Sequence, residues 1–276
     1  MTLGPRQVRQ LLAEHGIVPS RALGQNFVAD PNTVRRIARL AGVGPGDHVV
    51  EVGPGLGSLT LALAATGAQV VAVELDRHLL APLRHLVEPA GVRVVHADAM
   101  TLDWPALLDG AASWSLVANL PYNIATPLVL DLLAQVPAVD RMLVMVQREA
   151  GERLAAGVGS KAYGIPSVKA AYWAAVEVVG RVPPTVFVPQ PRVESVLVRV
   201  TRRDRPPVDA DRERLFRLVE TGFNQRRKML RRSLAGLAGP DDFARAGVRP
   251  EARAEELTLE AWSLLAGGGV GRLPDE

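Results

Sequence analysis

The feature that most constrains this chain is a series of short, β-branched apolar runs: HVVEVG (48–53), QVVAVEL (69–75), VRVVHA (92–97), WSLVANL (114–120) and MLVMVQ (142–147). Each is separated from the next by sequence of helical composition. A strand with one wet face alternates apolar and polar residues, whereas these runs are nearly continuous, so they read as strands covered on both sides. Such strands alternating with helices predict a doubly wound, Rossmann-like α/β domain with a mostly parallel sheet. Two further runs, AVEVVGRV (175–182) and SVLVRV (195–200), have no obvious helix between them. They complete a seven-stranded sheet as an antiparallel pair at one edge.

Upstream of the first strand, Pro31–Ala41 reads as a helix capped by Asp30, with Val34, Ile37, Ala38 and Ala41 on one face. Downstream, TRRDRPPVDADR (201–212) is rich in proline and charge and precedes a tract of helical character. The expected division is therefore residues 1–203 as a catalytic domain and 204–276 as a small all-helical one. The glycine-rich end, AGGGVGRLPDE, reads as loose.

Composition narrows the function classes. The chain has no cysteine, which excludes disulfides, thiolate metal sites and thiol nucleophiles, and agrees with a reducing compartment. No apolar signal core begins the sequence, and no run of about 18 apolar residues suggests a membrane span, so a cytoplasmic protein is expected. The five histidines, His15, His48, His78, His85 and His96, show no ligand spacing, and no metal site is predicted. The net charge is only +3, yet Arg199–Arg232 holds twelve basic against five acidic residues. A local positive field of this kind suits a polyphosphate partner, the alternative being a solvated helix face.

The first chemical signal is VEVGPGLGSLT, where a buried strand runs into Gly53, Gly55 and Gly57 and then into a helix. Glycine lets the backbone turn sharply and lets a ligand approach without a Cβ in the way. The second strand ends in Glu74, 21 positions after Gly53, where a carboxylate could accept from both hydroxyls of a ribose. The third ends in HADAM, which puts Asp98 at the same sheet edge, able to receive a proton from an adenine amino group. Together these favour an adenosine-bearing cofactor. A tight strand-to-helix turn and a carboxylate capping the next loop are the plainer alternatives.

The tetrad NLPY, Asn119–Tyr122, closes the fourth strand. An adenine amino nitrogen is a poor nucleophile, because its lone pair is delocalised into the ring. The Asn119 side-chain oxygen and the Leu120 carbonyl, ahead of Pro121, could hold both amino hydrogens and favour a pyramidal nitrogen aimed at a methyl donor. Tyr122 could stack on the base. The alternative is a strand-terminating turn with a core tyrosine.

These motifs, with LGQNF, VELD, DAM, NLPYNIATP, QREAGERL, SKAYG, FVPQPRVES and FNQRRKMLRRSL, in this order over most of the chain, resemble the ribosomal RNA adenine dimethyltransferase family, above all its small-subunit members. The resemblance implies S-adenosyl-L-methionine as cofactor, held at Asn26, Val28, Gly53, Glu74, Asp98 and Asn119. Asn26 and Val28 come from the resemblance alone; relatives more often have leucine at the second, which a backbone contact would tolerate. It also implies that Phe187 closes over a flipped adenine opposite Tyr122, whereas composition alone favours a core phenylalanine. In FNQRRKMLRRSL, Arg226, Arg227, Lys228, Arg231 and Arg232 would grip RNA phosphates, with Phe223, Met229, Leu230 and Leu234 facing inward. The implied activity is dimethylation of two adjacent adenosines near the 3′ end of 16S rRNA, in a 30S subunit or its precursor, by a monomer without membrane contact. A large-subunit (23S) methyltransferase of the macrolide-resistance type, an NAD-dependent oxidoreductase and a non-catalytic ribosome-assembly factor stay open at this level.

Overall fold

The computed structural model describes residues 2–270 of the 276-residue chain. The expected strands form: β1 (His48–Val52), β2 (Gln69–Glu74), β3 (Arg93–His96), β4 (Trp114–Asn119), β5 (Val139–Gln147), β6 (Ala174–Val182) and β7 (Ser195–Arg202). They make one seven-stranded sheet in the order β3-β2-β1-β4-β5-β7-β6. β1 to β5 are parallel, and β7 runs antiparallel to β5, with Arg141 opposite Thr201 and Gln147 opposite Ser195. The strand order reverses between β1 and β4, and such a switch leaves a crevice beyond the carboxyl ends of those two strands.

The central strands are covered on both faces. Val49, Val117 and Leu143 pack into one cluster with Val34 and Ile37 of the Pro31–Ala41 helix and Leu59 and Leu63 of the Ser58–Ala64 helix. Their chain neighbours Val50, Leu116 and Val144 point the other way and are equally buried. Full burial does not extend to the edges. In β3, Arg93 and His96 are exposed and Val94 and Val95 only half-buried, because an apolar run does not distinguish an edge strand from a central one. The Pro31–Ala41 helix matches its expected limits, with the Asp30 carboxylate accepting from the N–H groups of Asn32 and Thr33 and Gly42 in the left-handed region closing it.

Contacts divide the chain into two compact units. One comprises the residues up to Gly151 together with Glu177–Thr201, and the other Glu152–Val176 together with the residues from Arg202 onward. A single cut after residue 203 thus omits a segment that composition does not mark. Within the second unit, Tyr163, Val168 and Tyr172 are buried with Leu215, Leu218, Leu230, Phe243 and Trp262 in one apolar cluster. The Tyr163 hydroxyl donates to the Leu257 carbonyl at 2.9 Å. The unit is not purely helical, since Val208–Asp209 pairs with Gly269–Val270. The start of the glycine-rich end is accordingly held in a ladder; residues 271–276, included in the expected second domain, lie outside the described residues.

Candidate active site

The crevice at the strand switch is built first by glycine. After β1 the chain passes through Gly53, Gly55 and Gly57 with φ of +69°, +59° and +81°, a region that favours glycine. At Gly55 the absence of a side chain is required twice, because a Cβ there would also lie 2.7 Å from Cδ1 of Phe27. The tight loop points the Gly55 N–H at Glu74 at the end of β2, donating to Oε2 at 3.0 Å, while the Asp76 N–H donates to Oε1 at 2.8 Å. Glu74 is buried, and burial raises its pKa, with the N–H groups of Asp76 and Gly55 opposing. Each carboxylate oxygen retains accepting capacity for a ligand hydroxyl.

At the end of β4, Leu120 stays in register through its N–H to the Met145 carbonyl at 3.0 Å. No donor among the described residues reaches the Leu120 carbonyl, and Pro121 brings no N–H of its own. The Pro121 carbonyl accepts from Ile124 and Ala125, which starts the Ala125–Gln135 helix. Asn119 Nδ2 donates to the backbone carbonyl of Asn26 at 3.1 Å. A carbonyl can only accept, so this bond fixes which end of the amide is nitrogen and leaves Oδ1 as a free acceptor. Tyr122 is half-buried, its hydroxyl 3.5 Å from Ser195 Oγ.

The segment that supplies Asn26 is itself pinned. Gly24, with φ of +64°, lies so close to the tetrad that a Cβ there would sit 3.3 Å from the Tyr122 nitrogen. Asn26 Nδ2 donates to the Gly24 carbonyl at 3.1 Å. Gln25 bridges outward, accepting from the Ser20 N–H and donating to Asp76 Oδ2, both at 2.7 Å. Phe27–Val28 then pairs antiparallel with Phe187–Val188. From the other side, Val8 and Leu12 of the Pro5–Glu14 helix pack with Phe27 and Leu56.

These elements enclose a cleft of about 1250 Å³, part of it open to solvent. It brings together Asn26, Val28, Gly53, Glu74, Asp98, Asn119, Leu120, Pro121 and Tyr122. Asp98 Oδ1 accepts from the Met100 N–H at 2.9 Å. The acidic side chains of the lining are Glu51, Glu74 and Asp98, and no lysine, arginine or histidine is among them. This suits a ligand that carries positive charge. Glu51 was absent from the expected site. Its signal was a carboxylate within the apolar run HVVEV, a residue type that is rarely buried without a partner.

Phe187 does not join this group. It is 3% exposed and belongs to the core cluster that includes Val28, Val34 and Ile37, because its pairing with Val28 turns the ring inward. The stacking partner expected opposite Tyr122 is therefore not in the cleft in this conformation. The basic tract lies in the second unit. Arg226 pairs with Glu255 at 2.6 Å and donates to the Lys161 carbonyl, Arg231 pairs with Glu251 at 3.1 Å, and Lys228 donates to Gln225. Arg227 and Arg232 are exposed, with no ion-pair partner among the described residues. Leu230 and Leu234 are buried as expected, but Met229 is 38% exposed.

Residues 20–266 match the profile of a family described as ribosomal RNA adenine dimethylase. A Kineococcus radiotolerans protein named ribosomal RNA small subunit methyltransferase A is 50% identical over 274 residues, 96% of this chain and 90% of that protein. A Streptomyces coelicolor protein of the same name is 49% identical, with 96% of each chain covered. Among solved structures, 23S rRNA methyltransferase ErmE is similar with a TM-score of 0.69 at 28% identity, covering 88% of this chain and 98% of that one. A dimethyladenosine transferase from Plasmodium falciparum, 21% identical over 87% of this chain and 95% of that one, shares the fold with a TM-score of 0.74.

Proposed function

The chain belongs to the ribosomal RNA adenine dimethylase family, and from that premise we propose that it dimethylates the exocyclic amino groups of two adjacent adenosines near the 3′ end of small-subunit rRNA. The methyl donor is S-adenosyl-L-methionine, which when bound supplies an electrophilic methyl group on a sulfonium. The observation that carries this reading is the Asn119 amide, whose nitrogen is committed to Asn26 and whose oxygen is thereby an acceptor beside the unengaged Leu120 carbonyl.

The roles follow from the chemistry of each group. Glu74 accepts from the ribose hydroxyls, and Asp98 accepts from the adenine amine of the cofactor. The glycine loop and Val28 admit the cofactor through backbone. Asn119 Oδ1 and the Leu120 carbonyl each take one hydrogen of the target amine, which draws its lone pair out of conjugation and aims it at the methyl. Pro121 keeps the Leu120 carbonyl clear, and Tyr122 offers a face for the flipped base. No shifted general base is required, since the amine becomes acidic once it carries the fourth substituent. The basic side chains at Arg226–Lys228 and Arg231–Arg232 meet RNA backbone phosphates, with Arg227 and Arg232 the freest of them. Acting on 30S particles or their precursors places the work in the cytoplasm, and a monomer suffices for it. Among the described residues no helix is long and apolar enough to cross a membrane.

Methylation of purified 30S and 50S particles in parallel, with mapping of the modified adenosines, tests the reading. Dimethyladenosine on 30S rRNA alone is expected. Labelling confined to 50S particles would instead support the large-subunit activity named for the structure at 28% identity.

A further inference from the structure

Glu51 is the residue of the cleft that the roles above leave unused. It sits in β1 at 1% exposure and lines the cleft, and its Oε2 has no hydrogen-bond partner. Two neutral hydroxyls at the start of the next helix, Ser58 Oγ and Thr60 Oγ1, are also buried without partners. A buried carboxyl with an unused oxygen is costly when ionised and alone, and far less so when a cation is brought against it. The other polar side chains around it do not supply that cation: β2 contributes Glu74, the segment after β3 contributes Asp98, and β4 contributes the neutral Asn119. Glu74 differs from Glu51 in that both its oxygens already accept backbone N–H bonds, which favour its charged form.

We propose that Glu51 is the counter-ion for the positive charge of the cofactor, its carboxyl neutral in the free protein and ionised in the complex, so that cofactor binding releases a proton. The inference rests on the cofactor reading given above. In the step the carboxyl O–H bond breaks, the proton passes to the buffer, and the carboxylate is paired with the sulfonium or ammonium of the ligand. Burial pushes the Glu51 carboxyl up to about 8, with the Thr60 hydroxyl opposing although it makes no hydrogen bond of good geometry, and the charge of Glu74 adding to the rise. Proton release on binding means that affinity rises with pH up to that value, by as much as about tenfold per pH unit.

Titration calorimetry of the full chain with S-adenosylmethionine, at pH 7 in two buffers of different ionisation enthalpy, reads the proton directly. Release approaching one proton per cofactor is expected, together with a dissociation constant that falls between pH 6 and pH 8. In Glu51→Gln the release and the pH dependence should both vanish while binding persists, more weakly. S-adenosylhomocysteine, which lacks the sulfonium charge but keeps the ammonium, assigns the partner: equal release points to the ammonium, and loss of release to the sulfonium. Buffer-independent heats and a pH-flat affinity in the unaltered protein would overturn the proposal even if the variant does not fold. An undiminished release in Glu51→Gln would move the titration to another carboxyl and overturn it as well. No binding of S-adenosylmethionine at all would be a different result, and would overturn the cofactor reading itself.

Discussion

The side-chain nitrogen of Asn119 donates to the backbone carbonyl of Asn26 at 3.1 Å, across 93 residues of sequence. One bond thus joins the N-terminal loop to the end of β4 and decides the orientation of an amide. Were the amide reversed, its oxygen would face another oxygen and its nitrogen would face the incoming amine.

Asn119→Ala should therefore keep the fold and much of the RNA affinity while turnover on 30S particles falls by about 10²–10³, the usual loss on removing one positioned polar group that acts in the transition state. Asn119→Asp should be no better, since its carboxylate would oppose the Asn26 carbonyl and shift the loop. Single-turnover methylation beside thermal unfolding checks both. Full activity in the alanine variant would sink the amine-holding role.

Glu74→Gln should weaken S-adenosylmethionine binding by about 10–100-fold, equivalent to ~1.5–3 kcal/mol for a hydrogen bond to a charged acceptor. The amide cannot accept from Gly55 and Asp76 and still offer two acceptors to a ribose. A thermal-shift series with S-adenosylmethionine and NAD reads this, with stabilisation expected from the first ligand only. Stabilisation by NAD would contradict the cofactor reading.

The buried Glu51 also predicts how stability varies with pH. Its carboxyl titrates near 4.5 when unperturbed and is pushed up to about 8 in the fold. Between those values the native state holds a proton that the unfolded chain has lost, so unfolding free energy declines as pH rises, by at most about 1.4 kcal/mol per unit. The burial-raised Glu74 acts in the same direction. Denaturant midpoints of the free protein should fall from pH 5 to pH 8, and Glu51→Gln should flatten the decline. Parallel curves for the two proteins would remove Glu51 as its source.

The cations of the second unit should not be equivalent. Arg227→Ala with Arg232→Ala removes two unpaired, exposed charges and should lower the salt-dependence slope of RNA binding by roughly 1.4–1.8, taking ~0.7–0.9 per phosphate contact. Arg226→Ala instead breaks the bond to Glu255 and the contact with the Lys161 carbonyl, and should show mainly as lower stability of its unit. Filter binding across a salt series, beside melting curves, separates the two kinds of effect.

Sequence made the central strands legible because burial on both faces leaves an unbroken apolar run, and it made Gly53, Glu74, Asp98 and Asn119 legible because each ends a strand at the same sheet edge. Asn26 was legible only through family likeness, since it acts by its backbone carbonyl and no side-chain chemistry advertises that. Glu51 was hidden by its surroundings: inside HVVEV it reads as part of the strand, although an unpaired carboxylate there was the odd residue. The exposure of β3 and the inward turn of Phe187 depend on which strand lies next in space, which local composition does not encode. The same holds for Glu152–Val176, whose helical character is indifferent to which core receives it.

That segment has a practical consequence for modularity. Tyr163, Val168 and Tyr172 complete a core whose other half begins only at Val208, beyond β6 and β7. A chimera that exchanges the C-terminal part of this protein for that of a relative at one splice near residue 203 would mate half of one core with half of another. Transplanting the unit intact takes two exchanges, one on each side of β6 and β7, and natural recombination between family members faces the same requirement.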